Sequence, residues 1–220
     1  GPHGQIRKPI AITMGDPAGI GPEIILRALA RAPEMGLEGP FVVYGCPGWM
    51  EAVARRLGLN TGFLEVVPVT KVPEDLPVGQ VSAAGGEAAF QAVYRAAQDA
   101  MAGKVRAVVT APLSKAAMNL AGHVYPGHTE ILAEVGGNVP VRMMLANEEL
   151  RTVLVSIHVP LREAVSSLST AGIVETIRLT DAFLHMTGIQ APRIAVAGIN
   201  PHAGEDGLLG DEEIRVIGPA

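Results

Sequence analysis

Two histidines follow apolar runs in the second half of this 220-residue chain. His158 comes directly after residues 153–157, and His202 follows residues 195–199 with two residues between. Such runs predict buried strands, and active residues of α/β proteins collect in loops at the carboxyl ends of strands. We therefore expect both imidazoles at one edge of the same sheet. Imidazole suits zinc, cobalt, nickel or iron, but a catalytic site needs about three protein ligands, and a lone histidine is more often structural.

Two further loops follow apolar runs in the first half. Residues 14–23 form a glycine-rich turn that includes Asp16, and residues 110–115 end in Lys115. The glycine spacing differs from the dinucleotide-binding fingerprint. The turn predicts either a close backbone approach to an anion at a helix start or a tight strand-to-helix connection. Lys115 is placed to meet a phosphate or carboxylate, although most lysines are only solvated.

A third motif spans residues 125–130. His128 precedes Thr129, which is placed to cap a helix beginning at Glu130. Both side chains can then face a phosphate or hydroxyl of a ligand. The alternative is that Thr129 is only a helix cap. We assign no chemistry to His123 or to His185, which falls within a predicted helix.

The composition excludes several classes of function. The net charge is −5 and no run of lysine or arginine occurs, so nucleic-acid binding has little electrostatic support. Cys46 is the only cysteine, which excludes an internal disulfide and a cysteine-based zinc site and fits a reducing cytoplasm. No apolar run approaches the ~20 residues that span a bilayer, and so we expect no membrane partner. Residues 1–7 are typical of a tag remnant.

Apolar runs alternate with amphipathic stretches along the chain, which predicts an α/β protein with a mostly parallel sheet covered on both faces. Strands are predicted at 10–14, 41–44, 105–110 and 193–199, a hairpin at 141–158, and helices at 22–32, 86–101 and 170–187. A last helix begins at residue 211. It would have nothing after it to pack against, so we expect the chain to be C-terminally truncated.

Taken together, five segments in this order resemble the 4-hydroxythreonine-4-phosphate dehydrogenase family of vitamin B6 biosynthesis. They are residues 14–23, 110–115, 127–130, 158–161 and 200–205. The resemblance runs from Lys8 to the last residue. It implies two α/β/α domains around a cleft, as in isopropylmalate and isocitrate dehydrogenases, with a first domain at 8–126 and part of a second at 127–220. Family members continue past Ala220, so the resemblance implies an incomplete fold here.

The resemblance also implies roles for individual residues. His158 and His202 would be metal ligands, His128 and Thr129 would bind substrate, and Lys115 and Asp16 would be catalytic residues in the cleft. The implied cofactors are NAD or NADP and a divalent metal, Zn²⁺, Co²⁺ or Mg²⁺. A third metal-binding histidine and much of the cofactor site lie beyond the end of this chain in the family. The implied assembly is a homodimer with a shared active site.

The implied reaction is the oxidation and decarboxylation of 4-phosphooxy-L-threonine. Two alternatives stay open. One is a dehydrogenase of a phosphorylated four-carbon sugar acid, such as threonate or erythronate 4-phosphate. The other is an inactive fragment or a phosphate-binding module.

Overall fold

The structure is a computed structural model that describes residues 7–220, so almost all of the predicted tag remnant lies outside the described residues. The chain divides into two compact units, the first ending at Val139 and the second running from Pro140 to Ala220. None of the helices that residues 7–220 form is both long enough and apolar enough to cross a membrane.

The first unit alternates strands and helices along the chain. Its elements are β1 (Ile10–Thr13), α1 (Gly21–Arg31), β2 (Phe41–Gly45), α2 (Pro47–Arg56), β3 (Val66–Pro68), α3 (Ala83–Met101), β4 (Ala107–Thr110), α4 (Lys115–Leu120) and α5 (His128–Val135). The second unit contains β5 (Met144–Ala146), β6 (Arg151–Val153), α6 (Leu161–Ser166) and α7 (Thr170–Met186), followed by a 3₁₀ turn (Pro201–Gly204) and a π-helical turn (Glu213–Ile217).

The sheet of the first unit is entirely parallel, with strand order β3-β2-β1-β4. Successive residues of β2 point to opposite faces. Val43 packs with α1 and α2, whereas Val42 and Tyr44 pack against α3. Apolar side chains are needed on both faces because helices cover both, which explains the continuous apolar strands. The predicted parallel sheet is confirmed for this unit.

Helix α3 carries the two short helices that follow β4. Its N-cap, Ser82, accepts a hydrogen bond from the Gly85 N–H at 3.0 Å. A Cβ added at Gly86 would lie 2.0 Å from the carbonyl oxygen of Ala117, so α3 and α4 touch backbone to backbone. Ile131 of α5 is fully buried against Phe90 of α3. Because α5 packs on α3, it belongs to the first compact unit, which ends at Val139. The predicted domain boundary at residue 126 stays a prediction.

The second unit departs from the predicted pattern at one strand. Strands β5 and β6 pair in antiparallel fashion, which confirms the predicted hairpin. The predicted strand at 193–199 is wrong, because no strand in the described part of the chain pairs with it. Its side chains are not buried either: Val196 is 45% exposed and Ile199 is 41% exposed. An apolar run needs a partner strand for its backbone groups before it becomes part of a sheet.

Candidate functional site

The loops after β1 and β4 lie side by side, at the point where the strand order reverses. Ligands of open parallel sheets bind at such a point. The Asp16 N–H donates to the carbonyl oxygen of Pro112 at 3.1 Å. Gly15 has a φ of +74°, and a Cβ there would lie 2.3 Å from the same oxygen. The first glycine of the turn is therefore required for the close contact between the two loops.

Asp16 is buried beneath this turn. Its Oδ1 accepts a hydrogen bond from the Ala18 N–H at 2.9 Å, and a Cβ added at Gly85 would lie 2.7 Å from that oxygen. Burial raises the pKa of the Asp16 carboxyl, and the hydrogen bond from Ala18 opposes the rise. This carboxylate thus closes the turn by its bond to Ala18 and lies against the start of α3. Its predicted catalytic role stays a prediction.

Two more hydrogen bonds fix the same turn. The Trp49 indole donates to the carbonyl oxygen of Pro17 at 3.1 Å, and the Gly79 N–H donates to that of Ala18 at 2.7 Å. The turn after β1 is thus tied to α2 and to the segment before α3. A loop held at this many points presents its backbone in one arrangement, as a binding site requires.

Lys115 lies next to the start of α5. It is the first residue of α4, whose N-cap Ser114 accepts from the Ala117 N–H at 3.1 Å. The Cε of Lys115 lies 3.9 Å from the position that a Cβ on Gly127 would take, and Gly127 is the N-cap of α5. Gly127 has no side chain that could cap this helix start. Oε2 of Glu130 lies 3.6 Å from the same position, so a cation and a carboxylate both border this helix start. A cation beside the N–H groups of a helix start suits a phosphate or carboxylate.

The predicted cap of α5 is wrong by two residues. The backbone is extended at Gly127 and becomes helical at His128, so Thr129 lies inside the first turn and does not cap it. His128 and Thr129 are both half-buried in that turn. The structure therefore places Lys115 beside Gly127, the residue directly before this pair.

His128 is a neutral imidazole with an unused polar atom. Burial lowers the pKa of His128 below its ordinary value of 6.5. Its Nε2 is buried and has no hydrogen-bond partner among the described residues. A buried polar atom without a partner is costly, and a ligand oxygen would remove that cost.

We expect His128 to make the stability of the protein depend on pH. Its pKa in the folded state lies below the value of 6.5 for the unfolded chain, so this contribution is present above pH 6.5 and is lost as the pH falls through the folded value. Between about pH 7.5 and about pH 5.5, the free energy of unfolding should fall more in the wild type than in His128→Gln. Urea unfolding measures both. Equal falls in the two proteins would contradict the assignment, and His185→Gln on α7 is the matched control.

The connection between α4 and α5 is tied to α3 by an aromatic stack. The His123 ring stacks on Phe90 at a centroid distance of 3.7 Å and 11°, and its Nε2 lies 2.6 Å from Oε2 of Glu87. Tyr125 stacks on the same phenyl ring at 5.7 Å. His123 therefore has a structural role, and the sequence carried no local signal for its pairing with Glu87, 36 positions away.

The two predicted metal ligands share an unusual backbone conformation. His158 has a φ of 56° and His202 a φ of 52°, both left-handed. Among residues 7–220, six non-glycine residues have positive φ, and the other four are Asn138, Ala203, Glu205 and Asp206. Such conformations cost about 1–3 kcal/mol each and cluster at functional sites. Five of the six lie at these histidines or directly after His202.

Glu205 was missed by sequence reasoning. Its Oε1 lies 2.5 Å from Nδ1 of His202, whose side chain is 77% exposed. A carboxylate that holds one ring nitrogen leaves the other for a metal, as in most metal-binding histidines. The sequence offered one signal for this role, which is that a glutamate follows the candidate ligand His202 by three residues.

The donor set fits a metal in part. Two imidazoles, one oriented by a carboxylate, are typical ligands of Zn²⁺ or Co²⁺. Groups of three or more His, Cys, Asp or Glu side chains placed to hold a metal are absent from the described part of the chain. The expected shared sheet edge is also wrong, because the run before His202 forms no strand and β6 ends five residues before His158. The pairing of these histidines on one ion stays a prediction.

The sequence also matches a model of a known protein family. Residues 28–220 match the family described as pyridoxal phosphate biosynthetic protein PdxA. The chain belongs to the PdxA family. The family resemblance stated above is thereby confirmed.

Named relatives of this PdxA-family chain fall into two groups. It is 46% identical to a 4-hydroxythreonine-4-phosphate dehydrogenase of Beijerinckia indica, across 96% of this chain and 66% of that protein. It is 45% identical to a D-threonate 4-phosphate dehydrogenase of Salmonella typhimurium, across 97% of this chain and 70% of the relative. Both names describe oxidoreductases. The chain thus spans about two thirds of the length of these relatives.

The fold agrees with solved structures of the same family. A crystal structure of 4-hydroxythreonine-4-phosphate dehydrogenase from Klebsiella pneumoniae superposes with a TM-score of 0.84 at 39% identity. The superposition includes 99% of this chain and 70% of the Klebsiella pneumoniae chain. The mixed α/β fold with a parallel sheet is therefore that of PdxA proteins.

One cavity of the first unit is lined by none of the six predicted site residues. It has a volume of about 1110 Å³ at the carboxyl ends of β2 and β3. Its lining combines apolar side chains with Arg55, Arg56 and Lys71. The loops after β1 and β4 lie outside it. In the first unit, Asp16 and Lys115 belong to the loops that follow β1 and β4, where the strand order reverses, and not to the lining of this cavity.

Proposed function

We propose that this protein is an NAD(P)-dependent dehydrogenase that oxidises and decarboxylates 4-phosphooxy-L-threonine to 3-amino-2-oxopropyl phosphate, in pyridoxine 5'-phosphate biosynthesis. The observation that carries the proposal is 46% identity to a relative named for this substrate. Because the chain spans 66% of that relative, its activity is our proposal. The arrangement of Lys115, Gly127 and His128 supports a phosphorylated ligand.

The distal phosphate would bind at the start of α5. Lys115 supplies a cation, and His128 and Thr129 supply polar side chains in the first helical turn. The neutral His128 ring can donate a hydrogen bond from its buried Nε2 to a phosphate oxygen without requiring protonation. Binding energy gained at the phosphate orients the reacting carbon, which lies several bonds away. Asp16 would act in the same cleft, behind the turn that it holds.

His158 and His202 would hold the divalent cation, Zn²⁺, Co²⁺ or Mg²⁺. When bound, the cation would polarise the C3 hydroxyl and stabilise the negative charge left by loss of CO₂. Glu205 would keep His202 in one orientation, because its carboxylate can accept a hydrogen bond from Nδ1–H and so leave the Nε2 lone pair for the metal. The proposed dehydrogenase activity requires NAD or NADP as the hydride acceptor. The proposal includes a cytoplasmic homodimer with a shared site and an isopropylmalate-dehydrogenase-like arrangement of domains.

A second substrate is nearly as well supported. The relative named for D-threonate 4-phosphate is 45% identical, one percentage point below the first relative. Both substrates carry a 4-phosphate on a four-carbon hydroxy acid, so the phosphate site described above would serve either. The dehydrogenase of a phosphorylated sugar acid is therefore the second candidate.

The deciding experiment compares the two substrates directly. NADH or NADPH formation would be followed at each combination of substrate, nicotinamide cofactor and divalent metal. Faster turnover of 4-phosphooxy-L-threonine supports the first function, and faster turnover of D-threonate 4-phosphate supports the second. If the protein binds phosphate through His128 but turns over neither compound, both proposed functions fail and the protein is a phosphate-binding module.

A further inference from the structure

The loop that carries His202 is built around one carboxylate. Oε1 of Glu213 accepts hydrogen bonds from the N–H groups of Ile199 at 2.9 Å and Asn200 at 2.7 Å. Its Oε2 accepts from the side-chain amide of Asn200 at 3.0 Å. A single side chain thus accepts hydrogen bonds from three donors on Ile199 and Asn200. Asn200 lies two positions before His202.

A side chain at residue 204 would collide with this carboxylate. A Cβ at Gly204 would lie 2.9 Å from Oε2 of Glu213 and 2.6 Å from the carbonyl oxygen of Gly210. A Cβ at Gly198 would lie 3.4 Å from Oε1. Hydrogen bonds from Asn200 lower the pKa of Glu213 to about 2, and the bond from its backbone N–H has a larger effect than the bond from its side chain. The carboxylate is therefore ionised at neutral pH and accepts at both oxygens.

We propose that Glu213 is a positioning residue for His202. The backbone is extended at Asn200 and then enters left-handed conformations at His202 and Ala203. Such conformations persist only where the surroundings impose them. The bonds to Ile199 and Asn200 fix the direction of the chain just before this run, and Glu205 fixes the ring just after it. The metal arm of the test below rests on the proposed function, whereas the amide-exchange arm does not.

The first arm measures the loop without any metal. Glu213→Gln keeps the size of the side chain, but it removes the negative charge that strengthens these hydrogen bonds and replaces one acceptor oxygen with an NH₂ group. Hydrogen exchange of the Ile199 and Asn200 amides, followed by NMR, should become about tenfold faster in Glu213→Gln, with α7 unchanged. Glu149→Gln in the β5–β6 turn is the matched control and should leave these amides unchanged. Wild-type exchange rates in Glu213→Gln would overturn the proposal.

The second arm uses Co²⁺ alone as the probe. Glu213→Gln should weaken Co²⁺ binding about 10–100-fold, as loss of other groups that orient metal ligands does, while Glu149→Gln binds as the wild type does. Undiminished Co²⁺ affinity in Glu213→Gln would also overturn the positioning role. If the wild type itself does not bind Co²⁺, the proposed metal site fails. The exchange rates then decide the role of Glu213 in the loop by themselves.

Discussion

Replacing His202 with alanine should weaken Zn²⁺ and Co²⁺ binding by more than about 100-fold, because changes to groups that only orient a ligand already cost about 10–100-fold. With two imidazoles as the candidate ligands in this chain, losing one leaves only His158 to hold the cation. Isothermal titration and the metal content of the purified protein measure the effect. Any metal-dependent NADH formation should disappear with it.

The matched control is His185→Ala. His185 lies on α7 and pairs with Asp181 at 3.5 Å, so its loss should leave metal affinity unchanged. Glu205→Gln should weaken metal binding less than His202→Ala does, because it keeps the imidazole and alters only the group at Nδ1. A His202→Ala protein with the metal content and affinity of the wild type would remove His202 from the site.

Gly86→Ala should lower the free energy of unfolding by about 3 kcal/mol, at the upper end of typical overpacking costs. The added Cβ would lie 2.0 Å from the carbonyl oxygen of Ala117 and 2.1 Å from its carbonyl carbon. Because both are backbone atoms, no change of rotamer relieves the contact, and α4 must move away from α3. For a chain of this size, the midpoint of thermal unfolding should fall by about 6–12 °C.

Gly48→Ala is the matched control for that substitution. Gly48 also lies in a helix, α2, but a Cβ there would meet nothing within 4 Å. Alanine is the better helix former, so this variant should be as stable as the wild type or slightly more stable. A Gly86→Ala midpoint within about 2 °C of the wild type would show that α4 packs differently on α3. Since α4 carries Lys115, Gly86→Ala should also weaken phosphate binding more than Gly48→Ala does.

Residues 105–110 and 193–199 show what a local apolar pattern can and cannot predict about strands. Both are apolar runs, and both predicted buried strands. The first became β4, because β1 lies beside it and pairs with it in register. Its predicted burial is wrong, since β4 is an edge strand of the described sheet and Val109 is 51% exposed. The second has no neighbour among the described strands and stays irregular. Periodicity reports which residues are apolar, but it does not report which partner strand is available.

Sequence alone determined the family, the alternation of strands and helices in the first unit, the hairpin of the second, and the segments in which the candidate residues lie. These features depend on residue types at short spacing, and short spacing is visible in one chain. Tertiary structure alone decided that the loops after β1 and β4 meet, that Gly86 touches Ala117, and that Glu213 anchors the loop of His202. Each of these contacts joins residues brought together only by packing, so no local pattern could reveal it.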